Sequence, residues 1–156
     1  MIDNNWKNII EDIKNGKPII VVDDESRENE GDFFVNASVA SEYSIKLMLN
    51  EGRGLICTPI SKEIAKQLKL KLMVDNNTAN HKTAFTVSVD HITNSTGISL
   101  KDRLTTIKKL SDKDSVESDF QRPGHIFPLI ANEGGVEERD GHTEAAIDLS
   151  KLAGLP

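Results

Sequence analysis

Apolar and polar positions along this chain follow two periods, and the changes between them divide it into helices and strands. Trp6, Ile9, Ile10 and Ile13 recur at the spacing of one helix face and Gly16 follows, so residues from about Asn5 to Asn15 predict an amphipathic helix. Pro18 to Val22 is a short run rich in β-branched residues and predicts a buried strand. The polar block Asp23 to Asp32 then leads into the strand-like Phe33-Phe34-Val35, which puts the block on a loop between strands. A second helix is predicted from Ser41 through Ile45, Met48 and Leu49 before Gly52, a strand from Leu55 to Ile60, and a further helix from Ser61 to Leu70.

Phe85, Val87 and Val89 alternate with Thr86, Ser88 and Asp90, the period-two pattern of a half-buried strand. Ser99-Leu100-Lys101-Asp102 has the form of a capping box, and Leu104, Ile107 and Leu110 continue that helix's apolar stripe. Ser111 to Asp119 is polar and loop-like, while Arg122-Pro123-Gly124-His125 and Gly134-Gly135 act as breaker signals around the apolar Ile126 to Ile130. Thr143 is the expected N-cap of a last helix through Ala145, Ala146, Ile147, Leu149 and Leu152, ended by Gly154. Strands and helices interleave without repeat, low-complexity tract or linker, which predicts one mixed α and β domain over residues 1–156 with a layered sheet.

Composition narrows the partners. Charged residues make up 28% of the chain and apolar ones 37%, with one Trp, one Tyr and five Phe, so the core must rest on Ile, Val and Leu. A net charge of −6 argues against a nucleic-acid surface, which needs clustered Lys and Arg. The single Cys57 excludes an internal disulfide, Met1 to Asn5 shows no signal-peptide pattern, and no apolar run approaches the ~20 residues of a membrane span. A cytoplasmic protein without a membrane partner is the expectation.

The densest chemistry lies in Asp23 to Asp32, where Asp23, Asp24, Glu25, Glu28, Glu30 and Asp32 leave six acids in ten residues. Like charges so close repel unless a cation is near, and Mg²⁺ suits hard carboxylate oxygens; a solvated acidic turn is the alternative. Arg27 within the run either holds a phosphate or pairs with a neighbouring acid. In Arg139-Asp140-Gly141-His142-Thr143 the glycine admits close approach and the helix start offers free N–H groups, a phosphate cradle in kind or a plain loop-to-helix junction. His142 is a metal ligand, a proton carrier or an ordinary histidine. His125, after Pro123-Gly124, is expected to project from a constrained turn, where it serves as general acid or base or makes a structural hydrogen bond. Cys57 on an apolar strand reads first as an inert buried thiol. Arg103, Thr105 and Thr106 near a helix start either bind an anion or supply exposed helix polarity.

Together these segments resemble the 3,4-dihydroxy-2-butanone 4-phosphate synthase family over nearly the whole chain. The resemblance is carried by Asp23-Asp24-Glu25 with Arg27 to Asp32, Arg53 to Cys57, Phe85 to Asp90, Thr96 to Ser99 with Asp102-Arg103, Arg122 to Leu129 and Gly141 to Ala145, in the family's order. It implies an α+β fold with a three-layer mixed twisted β-sheet flanked by helices, and an enzyme that converts ribulose 5-phosphate to 3,4-dihydroxy-2-butanone 4-phosphate and formate. It further implies that Glu28 and His142 hold Mg²⁺ or Mn²⁺, and that Arg27, Glu28, Asp32, Arg139, Asp140, Gly141, His142 and Thr143 contact the sugar phosphate. Glu30 and Asp32 would carry acid-base roles, His125 would be needed for turnover, and Cys57 would lie beside the substrate. The family site lies near a homodimer interface, so the region around Arg103 to Thr106, with Thr106 as a substrate contact, would act on the partner's substrate. Family chains run several dozen residues past the segment matching Pro156 and carry there a further strand and a catalytic glutamate. The expectation is therefore a fragment of a longer protein, with or without a GTP cyclohydrolase II domain, or a shortened product that binds metal and sugar phosphate with little turnover.

Overall fold

The computed structural model describes residues 4–156 of the chain; Met1 to Asp3, and with them part of the stretch searched for a signal peptide, lie outside the described residues. Helix α1 (Asn4–Lys14) follows its predicted stripe and buries Ile13, and Gly16, at φ +69, closes it in the left-handed region that glycine tolerates. Strands β1 (Ile19–Val22) and β2 (Gly31–Phe34) pair antiparallel, with Ile19 opposite Phe34 and Val22 opposite Gly31. Contrary to the predicted buried strand, Ile20 and Val22 are exposed. A continuous apolar run signals burial on both faces only inside a larger sheet, and this ribbon has two strands.

Ser41 caps α2 (Glu42–Leu47) through a reciprocal box with Ser44, and the helix relaxes into a π turn over Met48–Gly52. Strand β3 (Cys57–Ile60), helix α3 (Lys62–Gln67) capped by Ser61, strand β4 (Val89–His91), helix α4 (Leu100–Leu110), strand β5 (Phe120–Ile130) and helix α5 (His142–Ala153) complete the order. The second sheet runs β3-β5-β4, parallel between β3 and β5 and antiparallel between β4 and β5, so it is mixed. With helices on it, the architecture is α+β. The core joins Ile45 of α2, Ile107 and Leu110 of α4 and Leu68 behind α3 to Ile60, Val89 and Ile126 of the sheet. As the composition requires, Ile, Val and Leu dominate it. Among the described residues no helix is long and apolar enough to cross a membrane.

Four local expectations are corrected. The period-two stretch that runs into β4 buries its polar set: Thr86, Ser88 and Asp90 are buried because β5 supplies their partners. The Thr86 hydroxyl lies 3.2 Å from the Pro128 carbonyl, Ser88 Oγ accepts from Gly124 N–H, and Asp90 accepts from His125. Arg122-Pro123-Gly124-His125 does not break the chain, since β5 runs through it. The register between β4 and β5 shifts at Val89/Asp90, which makes room for the proline, and Gly124 lies so close to that shift that a Cβ would overlap the Val89–Asp90 backbone. His125 therefore stands on a strand rather than on a turn. Ser99 caps α4 as predicted, but Asp102 turns away from the box to accept from Ser95 and Gly97. At α5 the cap is Gly141, and Thr143 is inside the helix.

Gly124→Ala is expected to destabilise the protein by about 3 kcal/mol, because the obstacle is backbone in a paired strand and no side chain can move aside. That corresponds to a fall of roughly 10 °C in thermal midpoint for a chain of this size, measurable by calorimetry.

Candidate active site

The acidic loop is organised from within by Asp23. Its Oδ1 accepts the N–H of Glu30 at 2.9 Å, and its Oδ2 accepts the N–H of Glu28 at 3.1 Å and an Arg27 Nη1 proton at 2.7 Å. Asn29 adopts φ 54 to let the chain curl around this carboxylate. The Glu30 N–H, opposed by burial and helped by Arg27 and Glu28, holds the Asp23 carboxyl down at about 2 against an ordinary 3.8. A lowered folded pKa stabilises above the unfolded value and is lost as pH falls toward the folded one. The Glu28 and Glu30 amides are thus expected to stay protected from exchange down to about pH 4 and to lose protection between roughly pH 4 and 2, which NMR-detected hydrogen exchange reads directly.

With the loop curled this way, Arg27 is almost covered and pairs with Asp23, Glu28 at 3.1 Å and Asp140 at 3.5 Å. Of its two sequence alternatives, the pairing is present. Glu30 and Asp32 are exposed, Asp32 on β2 itself rather than on the loop.

Across the cavity, α5 begins on Gly141 with no side-chain cap, and its first intrahelical bond is from Ala145 N–H to Gly141. The N–H groups before Ala145 are the unsatisfied donors of a helix start. The same helix start brings His142 to the loop: single ligand atoms of Asp23, Glu28 and His142 lie within 4.8 Å of one another. His142 Nδ1 is 3.9 Å from Asp32 Oδ2, and its Nε2 is buried without a hydrogen-bond partner. Two carboxylates and an imidazole fit a hard or borderline divalent cation, and the orphaned ring nitrogen supports that fit.

Sequence reasoning missed the brace behind this corner. Glu144, almost fully buried, accepts the Asn132 N–H at 3.0 Å and an Arg139 Nη1 proton at 2.6 Å. Arg139 also donates to the His81 carbonyl and lies 3.3 Å from Thr83 Oγ1. At Gly141 a Cβ would run into Arg139 and stand 2.9 Å from Glu144 Oε2, so the ion pair closes only behind a glycine. The buried acid at the fourth place of Gly141-His142-Thr143-Glu144 was the available signal, since a lone buried carboxylate demands a cation.

A cavity of about 660 Å³ collects Arg27, Glu28, Glu30, Asp32, Cys57, Arg139, His142 and Thr143 on its walls. Asp140 stays at the rim, exposed. Burial, with a smaller push from Asp32, raises the Cys57 thiol to about 11, so it is a neutral group at physiological pH rather than a nucleophile. Besides Asp140 and Gly141, two further expected residues are not on these walls. Thr106 is fully buried, its hydroxyl bonded by His91 N–H, by Asn94 Nδ2 and to the Asp102 carbonyl, so within this chain it supports the 91–94 turn. His125 lies outside the cavity, its ring against Asp90.

Fold and site define a class: an α+β protein whose pocket sets a carboxylate and imidazole cluster beside an open helix start, a pairing suited to a divalent cation and an anionic ligand. Residues 7–156 match the sequence profile of the 3,4-dihydroxy-2-butanone 4-phosphate synthase family, and the chain belongs to that family. It is 59% identical over 144 residues to the riboflavin biosynthesis protein RibBA of Bacillus subtilis (strain 168) and 57% identical over 145 residues to that of Bacillus mycoides (strain KBAB4). The alignments cover 92% and 93% of this chain, which spans 36% of the length of either relative. Among solved structures, a 3,4-dihydroxy-2-butanone 4-phosphate synthase in complex with two magnesium ions superposes with a TM-score of 0.93 at 42% identity, covering 96% of this chain and 70% of that one. RibBX of A. baumannii, a two-domain synthase, superposes with a TM-score of 0.91 at 43% identity over 96% of this chain and 44% of that one.

Proposed function

We propose that the protein carrying this chain converts D-ribulose 5-phosphate to L-3,4-dihydroxy-2-butanone 4-phosphate and formate in riboflavin biosynthesis. The observation that carries the reading is the meeting of Asp23, Glu28 and His142 beside the uncapped start of α5. The walls hold more acid than base, so a doubly negative phosphate enters only where cationic charge and N–H groups converge. Those are the first turn of α5, with Arg27 and Arg139 alongside. Glu28 and His142 would hold Mg²⁺ or Mn²⁺, with the Asp23 carboxylate close by. Bound there, the ion supplies positive charge where negative charge grows on the sugar oxygens.

The remaining residues handle protons and fit. Abstraction next to the carbonyl, loss of water, skeletal shift, return of a water to C4 and its release as formate require several proton transfers, which calls for more than one base. Exposed Glu30 and Asp32 on the cavity wall accept and return them, and Cys57 contributes shape and a dry surface rather than charge. Thr143 lies against the same helix start. His125 reaches no part of this cavity within one protomer, so its part in turnover belongs to a homodimer in which it faces the partner's substrate.

The test is formate release from ribulose 5-phosphate by the intact protein. Stoichiometric formate, lost with EDTA and restored by Mg²⁺ or Mn²⁺, is the expected result. Metal-dependent binding of the sugar phosphate with no formate at any metal concentration would overturn turnover and leave a binding module.

A further inference from the structure

We infer that Asp90 is the positioning residue that orients His125, holding its ring with Nδ1–H inward and Nε2 presented outward as the proton-accepting atom. This rests on the proposed role of His125 in turnover. The geometry is two-handed: Asp90 Oδ1 accepts the His125 backbone N–H at 3.0 Å while Oδ2 lies 2.7 Å from ring Nδ1. One carboxylate thus fixes both the chain and the ring of the same residue. Asp90 is only 6% exposed, and an ionised carboxylate only accepts, so the short contact requires the proton on Nδ1. The neutral ring then carries its lone pair on Nε2, and among the described residues no group is hydrogen-bonded to that atom.

Three separate segments converge to make this arrangement. The register shift between Val89 and Asp90 sets β4 against β5 so that Asp90 faces His125. The 95–97 loop, tied to Asp102 through Ser95 Oγ and the Gly97 N–H, forms the opposite wall. There Gly97, at φ +79, leaves the space the pair needs: a Cβ would overlap Asp90 Oδ2 and stand 2.6 Å from His125 Nδ1. A histidine that merely filled a surface site would need neither the glycine nor a buried carboxylate behind it. Half-exposed on its other side, this ring offers one nitrogen to solvent or to a partner's substrate and has the other locked.

Asp90→Asn separates orientation from structure. Asparagine still accepts the His125 backbone N–H through Oδ1, but its amide N–H₂ then confronts Nδ1 and drives the ring to the Nε2–H tautomer. The intact protein is expected to lose roughly 100-fold or more in kcat with KM changed less than about threefold, and ¹⁵N spectra of the ring should switch from Nδ1–H to Nε2–H. Gly97→Ala, which displaces the carboxylate without removing it, should lower kcat in the same direction and gives the answer if the asparagine variant does not fold. A folded Asp90→Asn protein with switched tautomer and unchanged kcat overturns the inference, as does a wild-type ring already protonated on Nε2. His125→Ala keeps the two readings apart: if it turns over normally, the role of His125 itself falls, whereas its inactivity beside a fully active Asp90→Asn variant removes only Asp90.

Discussion

His142→Ala is expected to abolish metal-stimulated formate release, a loss of roughly 1000-fold, while leaving the metal-free protein as stable as before or slightly more so. The two effects diverge because the imidazole is unrewarded in the empty fold. Its Nε2 is buried without a partner, a state that costs about 1–3 kcal/mol, and removing the ring cancels that cost against the packing it forfeits. Glu28→Gln should behave alike, since it relieves repulsion with Asp23 while weakening the contact with Arg27. Titration calorimetry with Mg²⁺ or Mn²⁺ should show no heat from either variant. The unaltered protein, by contrast, should gain about 2.7 kcal/mol of stability at a metal concentration a hundred times Kd. Retained metal-stimulated turnover in His142→Ala would remove this residue from the cation site.

Breaking the ion pair behind the site should have the largest effect on folding. Arg139→Met leaves the Glu144 carboxylate buried with no cation and is expected to destabilise by about 3–5 kcal/mol. Adding Glu144→Gln should recover most of that loss, because the glutamine carbonyl still accepts the Asn132 N–H while the stranded charge disappears. Urea unfolding of both single variants and the double variant gives the coupling directly, and strict additivity would mean the pair does not act as a unit. The double variant should fold yet bind ribulose 5-phosphate weakly, since a cation beside the α5 start is gone.

How far the chain alone reveals this arrangement depends on where the deciding contacts lie. Helices α1 and α4 were legible because stripe, cap and terminator sit within one short window: Trp6 to Ile13 with Gly16, and Ser99 with Leu104 to Leu110. The acidic loop could be located from its charges, but not its wiring, since Asp23 binds the backbone of Glu28 and Glu30 only once Asn29 turns left-handed. Breaker logic failed at Pro123-Gly124 because the register shift between β4 and β5 leaves both residues unpaired within β5, and strand registry is a property of the pair. Burial of Thr86, Ser88 and Asp90 was hidden for the same reason, as their partners come from β5. Thr106 looked available because helix position does not disclose that its hydroxyl is already taken three times over. The meeting of Glu28 with His142 was expected from the family likeness; spacing along the chain carries no trace of it.

One feature of α5 links recognition to local order. A helix that opens on a bare glycine has nothing of its own to hold its leading amides, so a phosphate bound as proposed would finish the first turn. The ligand would then serve as a piece of secondary structure, and protection of the amides at His142 to Glu144 is expected to rise in step with occupancy.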